Sequence, residues 1–191
     1  MHIALAANFA FRPVSHWFDS LPVYAGSPVT YPFITNLISG LLWRVSGDLV
    51  FSFIATSILA TAAILVMLWI FFRSHGFSQW SSVAAAWIFL CSGGLGFFYV
   101  GLRSGWLTAL TDATLVMTQR ETPHLELNNI VSSMFIPQRA YLLGLPIGLL
   151  CLWWLRRALA SRGFSPRWQA IAIGMSAGAL LLIHTHTFLV M

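Results

Sequence analysis

Two histidines, His184 and His186, lie inside the last long apolar stretch of the sequence. An ionisable side chain within a membrane-spanning segment is costly to bury, so it marks a functional site by default. Side chains two positions apart on a regular helix point about 200° apart, so these two rings should not reach one metal ion together. We predict that one ring faces a cavity and the other bonds a neighbouring helix. The alternative is that both are neutral packing residues near the membrane surface.

Arg139 follows Pro137 and Gln138 at the start of another apolar stretch. A guanidinium presents forked N–H donors that match the oxygens of a phosphate group. Arg139, with Gln138 beside it, is therefore a candidate for binding a phosphorylated substrate. The alternative is that this arginine only extends to the lipid headgroups, as arginines at a membrane boundary often do.

His124 and Glu126 lie in a polar segment that separates two apolar stretches. Connections longer than about 12–15 residues are usually functional or disordered. An imidazole and a carboxylate could bind substrate or a metal ion, or act as a general acid and base. A solvated loop would also carry two such residues, and we prefer that simpler interpretation.

The composition indicates the kind of structure that positions these residues. Hydrophobic residues make up 58% of the chain and charged residues only 8%, whereas a soluble domain carries roughly 25% charged residues. So few charges cannot cover a water-facing surface, so we predict that membrane lipid is a partner. All ten basic residues are arginines and they are scattered, which excludes a nucleic-acid-binding signature. The lack of lysine is typical of GC-rich bacterial genomes and predicts a bacterial plasma membrane.

Four apolar stretches approach the length of about 20 residues that a membrane-spanning helix needs. We predict an all-α, polytopic transmembrane helix bundle at residues 49–191, with spans at 49–72, 80–102, 137–155 and 168–191. The connection at 103–136 is predicted to be a long external loop. Residues 1–48 are predicted to be an external region, with an amphipathic helix at 31–45 that lies on the membrane surface.

Arginine placement predicts the orientation of the bundle. Residues 156–167 carry four arginines and no acid, and such loops stay cytoplasmic. Residues 73–79 are then also cytoplasmic, and residues 1–48 and 103–136 are external. This arrangement puts every acidic residue on the outer side. The final apolar stretch has no polar flank, which predicts that the chain is a fragment of a longer protein.

One stretch carries a resemblance to a known family. It begins with Gly26-Ser27-Pro28-Val29-Thr30-Tyr31-Pro32-Phe33 and continues through Arg44 and Gly47-Asp48 to a pair of spans. Over about residues 26–96 it resembles the GT-C superfamily of membrane glycosyltransferases, particularly the protein-O-mannosyltransferase-like branch. Pro28, Tyr31 and Pro32 match the family motif. The departures are Ser27, Val29 and Thr30, which stand where the family has His, Pro and Leu.

The resemblance implies transfer of a sugar from a polyprenyl-phosphate donor to an unidentified acceptor on the outer face of the membrane. It implies a catalytic acid in the first external loop, for which Asp19 is the candidate here, unless that acid lies upstream of Met1. Tyr31 would then belong to the substrate-binding residues. Metal dependence varies in the family, so no cofactor is assigned and a divalent metal stays open. The alternative functions are a transporter or flippase and a non-catalytic membrane subunit.

Overall fold

All regular structure in the described part of the chain is helical. The computed structural model describes residues 1–20, 26–91, 101–111, 130–131, 135, 138–160 and 167–190. No strand occurs in these ranges, which confirms the predicted all-α class. The helices are α1 (His2–Phe11), α2 (Ile34–Ser46), α3 (Leu49–Ser74), α4 (Gln79–Cys91), α5 (Trp106–Thr111), α6 (Arg139–Ala160), α7 (Arg167–Ile183) and α8 (Thr185–Val190).

Two helices, α3 and α6, are long and apolar enough to cross a membrane. The described residues bury only 17% of the most apolar window of α3 and 28% of that of α6. The core helix of a soluble protein would instead be mostly buried. Three further apolar helical segments are shorter: α1, α4 and the Ala170–Ile183 part of α7. The structure therefore shows two candidate spans, and the predicted number of about four is not confirmed.

The start of α3 is fixed by its local sequence. Gly47 ends α2 in the left-handed region at φ 73°, a conformation that glycine adopts without steric cost. Asp48 follows as the N-cap of α3, and its carboxylate accepts a hydrogen bond from the Phe51 N–H at 2.9 Å. The Gly47-Asp48 pair thus places the end of one helix directly before the start of the next.

The chain divides into two compact units, one of residues 1–78 and 139–191 and one of residues 79–138. Within the first unit, α3 and α6 run parallel. Arg139 at the start of α6 bonds Thr56 near the start of α3, and Arg156 bonds Ser74 at the end of α3. These contacts lie about 17 residues apart on each helix, or about 25 Å at the helical rise. Helix α7 runs antiparallel to α6, because its C-terminal neighbour His184 packs against Gly144.

Residues 1–48 contain a helix that the sequence analysis missed. Helix α1 packs on α2, and a Cβ at Gly40 would lie only 2.5 Å from the Ala6 carbonyl oxygen. Leu5 and Phe9 of α1 are fully buried in a cluster that includes Tyr31 and Phe33. Helix α1 has ten residues, which is too short for the apolar-length argument to identify. Helix α2 also packs against α3 and α6. One side of α2 is therefore packed against other helices, and another side is exposed.

The second unit contains α4 and α5, and residues 101–104 are also helical. Gly101 lies against the indole of Trp106, where a Cβ would come within 2.5 Å of the ring. Much of the predicted span at 80–102 and of the predicted loop at 103–136 falls outside the described residues.

Candidate functional site

Arg139 occupies the first position of α6 and is half-buried against two other helices. Its Nη2 donates to Thr56 Oγ1 at 2.7 Å and to Ser39 Oγ at 3.0 Å. The guanidinium carbon lies 3.9 Å from the centre of the Phe53 ring, a distance at which the ring face attracts a cation. The side chain is therefore turned into the protein between α2 and α3, and does not simply extend to a headgroup layer.

The two hydroxyls are prepared to accept from a cation. Ser39 Oγ donates to the Thr35 carbonyl at 3.1 Å, and Thr56 Oγ1 donates to the Ser52 carbonyl at 2.9 Å. Each hydroxyl has one proton to give and two lone pairs. The two hydroxyl oxygens also lie 3.0 Å from each other, and each keeps a lone pair that accepts from Arg139. This local bonding also lets a hydroxyl sit in an apolar helix at little cost.

The positive charge of Arg139 has no carboxylate partner among the described residues. In that part of the chain, the carboxylate of Asp19 contacts the ring of His16 and not Arg139. Arg139 Nε is buried and bonds no described atom, and the same holds for Thr35 Oγ1. Buried donors without acceptors cost free energy. The arrangement is thus a cation with spare donors, which an oxygen-rich anion would satisfy.

An apolar cavity of about 220 Å³ adjoins this group. Thr35 and Thr56 supply the polar part of its wall, and Thr56 is also the hydroxyl bonded to Arg139. The rest of the wall is apolar and comes from α2, α3 and α6: Ile38, Leu59, Ala60, Ala63 and Leu143. A molecule with an anionic end and a hydrocarbon end would match this combination.

The histidines lie on another side of α6. The His184 ring is 5.1 Å from that of Tyr141 and 5.5 Å from that of His186, and all three line one cavity. The prediction that only one histidine faces a cavity is therefore wrong. The helix is interrupted locally at His184, where α7 ends at Ile183 and α8 starts at Thr185. The His184 N–H still donates to the Leu180 carbonyl, and the His184 carbonyl accepts from the Phe188 N–H. His184 is buried and His186 is exposed.

Asp19 is engaged by a residue that the sequence analysis did not consider. Its Oδ2 lies 2.6 Å from Nδ1 of His16, and both side chains are more than half exposed. The spacing of three residues was the available signal, because a short turn brings such positions together. The contacts of Asp19 are thus near the end of α1, whereas Arg139 bonds to α2 and α3, so the structure shows no contact that joins them.

The structure describes two of the four other predicted site residues outside the histidine pair, Tyr31 and Gln138. Tyr31 packs against the α1 cluster with its ring 6.1 Å from that of His2, and burial raises the pKa of its phenol. Gln138 is half-buried directly before α6. His124 and Glu126 lie outside the described residues.

The described residues hold no group of three or more His, Cys, Asp or Glu side chains that could bind a metal ion. Comparison with protein family models, curated proteins and solved structures finds no match to this chain.

Proposed function

We propose that this chain acts as a membrane glycosyltransferase and binds a polyprenyl-phosphate sugar donor at Arg139. The observation that carries the proposal is the half-buried guanidinium that has no carboxylate partner among the described residues and lies beside an apolar cavity. A donor phosphate would accept from Arg139, and the first isoprene units would occupy the cavity below it. The resemblance of residues 26–96 to the GT-C superfamily supports the same assignment.

The proposed setting is a multi-pass protein of about four spans. Arg73, Arg156 and Arg157 lie near the ends of α3 and α6 that would face the cytoplasm, and Asp48 and Arg139 near the opposite ends. Parallel α3 and α6 support this topology, since two parallel spans require the chain to cross back between them. Residues 79–138 would contain that return span, and residues 167–190 a further one.

The chemistry requires one bond to form and one to break. The acceptor hydroxyl oxygen attacks the anomeric carbon, and the bond from that carbon to the phosphate oxygen breaks. The bonding electrons stay on the phosphate, where Arg139 stabilises the added negative charge. The hydroxyl proton goes to a base, for which we propose the His16–Asp19 pair because the resemblance implies a catalytic acid in this region; among the described residues no contact joins the pair to Arg139. His16 would take the proton at Nε2 while Asp19 holds its Nδ1–H.

The test is donor consumption by the protein reconstituted in liposomes with a radiolabelled polyprenyl-phosphate sugar. Arg139→Ala should lower turnover by about 10²–10³-fold, because it removes a donor aimed at the developing charge. Arg44→Ala, which removes an exposed arginine at the end of α2, is the matched control and should keep full activity. Equal activity in Arg139→Ala would remove this residue from the site, and no turnover in the folded wild-type protein would contradict a transferase.

A further inference from the structure

A second cavity, of about 210 Å³, lies where α6 meets the junction of α7 and α8. Its polar members are Tyr141, His184, His186 and Thr187. Its apolar wall consists of Val190 of α8 and of a stripe of α6 side chains at helical spacing, Leu145, Leu149 and Leu152, with Gly148 between them. Arg139 and Tyr141 lie two positions apart on α6 and so point about 200° away from each other, which separates this cavity from the arginine site.

The polar groups around this cavity carry no fixed charge. Among the described residues that line it, none is Arg, Lys, Asp or Glu. A charged headgroup would therefore lose water here without gaining an ion pair, which is unfavourable in an apolar wall. An uncharged headgroup would lose much less.

The hydrogen bonds of His184 define what it offers to a ligand. The backbone N–H of Thr187 donates to His184 Nδ1 at 3.3 Å, and Thr187 Oγ1 lies 2.8 Å from the same nitrogen. A backbone N–H can only donate, so Nδ1 is the accepting nitrogen and the neutral ring carries its proton on Nε2. His184 is thus a hydrogen-bond donor at Nε2. The protonated Nε2 offers no lone pair to a metal ion. A ligand oxygen from an ester, ether or hydroxyl group would be its natural partner.

The length of the cavity wall matches one leaflet of a membrane. From Tyr141 to Leu152 the helix rises about 16 Å, which is about half of the hydrocarbon core of roughly 30 Å. We infer that the cavity binds an uncharged lipid, whose headgroup oxygens lie at Tyr141, His184 and His186 and whose hydrocarbon chain follows the leucine stripe. The inference rests on the proposed membrane location of α6, but not on the sugar transfer reaction.

The test uses the full chain in maltoside micelles with dioleoylglycerol that carries a photoreactive diazirine in one chain. After irradiation, mass spectrometry should find the label on residues 145–152. Gly148→Leu fills the space between the leucines and should reduce this labelling by about tenfold or more. Gly178→Leu on α7 is the control, because a Cβ there meets no atom within 4 Å, and its labelling should equal that of the wild type.

Competition on the wild-type protein keeps the test decisive if Gly148→Leu does not fold. Unlabelled dioleoylglycerol in about tenfold excess should suppress the labelling of residues 145–152 by about tenfold, because both lipids compete for one site. Suppression by dioleoyl phosphatidic acid should be much weaker. Equal suppression by the anionic lipid would contradict the preference for an uncharged headgroup. Labelling that no competitor suppresses would contradict a specific lipid site in this cavity.

Discussion

Gly144 on α6 lies directly against His184, so that a Cβ added at Gly144 would come within 2.6 Å of the His184 Cβ. Real Cβ atoms essentially never approach so closely, and residue 144 must therefore lack a side chain for α6 and the α7–α8 junction to pack as they do. This contact fixes the height of His184 beside Tyr141, since the two rings are 5.1 Å apart. A glycine on α6 thus positions the histidine at the junction of α7 and α8.

Gly144→Ala should lower the free energy of unfolding by about 1–3 kcal/mol, because a methyl group has to be forced into an occupied space. Thermal unfolding in micelles measures the effect. Gly178→Ala is the matched control on α7, where nothing lies within 4 Å of the new Cβ. It should be neutral or stabilise by up to about 1 kcal/mol through helix propensity. Equal effects at both positions would show that the close contact is absent.

The cap of α3 gives a second stability prediction. Asp48→Ala removes the oxygen that accepts from the Phe51 N–H and should cost about 0.5–2 kcal/mol. Asp48→Asn keeps a capping oxygen and should cost much less. Hydrogen exchange at the first amides of α3 provides a local readout. Faster exchange there in the alanine variant alone is the expected result, and similar rates in both variants would contradict the cap.

The His16–Asp19 pair should act as one unit in the proposed transfer. His16→Ala and Asp19→Asn are each expected to lower turnover by about 10²–10⁴-fold, and the double variant should be no slower than the slower single variant. The stability of each should change by less than about 1 kcal/mol, since an exposed pair contributes little. Arg12→Ala, which removes a bond to Ser20 in the same segment, is the control. Full activity in both single variants would remove the pair from the mechanism.

Much of the fold follows from local sequence. The charge-free stretch after Asp48 predicts a helix at residues 49–72, and α3 occupies Leu49–Ser74. Local sequence is less informative near His184. The positions around it hold no proline or glycine, the residues that usually mark a break in a helix. The interruption between α7 and α8 could therefore not be predicted. For the same reason, the sequence did not predict that the two histidines line one cavity.

The candidate site shows a different limit. Arg139 could be identified from its position before an apolar stretch and from the chemistry of its side chain. Its partners could not be identified, because Ser39 and Thr56 are 100 and 83 residues away in the chain. A serine and a threonine in apolar helices are common and carry no signal by themselves. Only the packing of α2 and α3 against α6 shows that their oxygens converge on this cation.

The proposed topology makes a labelling prediction. Val45 is 86% exposed at the end of α2, and His75 is exposed just after α3. With Cys91 and Cys151 replaced by serine, Val45→Cys should react with a membrane-impermeant maleimide added to intact cells. His75→Cys should react only after the membrane is permeabilised. Labelling of both from outside would mean that α3 does not cross the membrane.

The most direct test of the central claim is the affinity of the purified protein for a polyprenyl phosphate without sugar, measured by native mass spectrometry in detergent. Arg139→Met replaces the cation with an apolar side chain of similar length and should weaken binding by about 10–100-fold, the loss expected for hydrogen bonds to a charged group. Arg44→Met should bind like the wild type, and the uncharged polyprenol should bind both proteins equally weakly. The same phosphate affinity in Arg139→Met and wild type would contradict an anion site at Arg139.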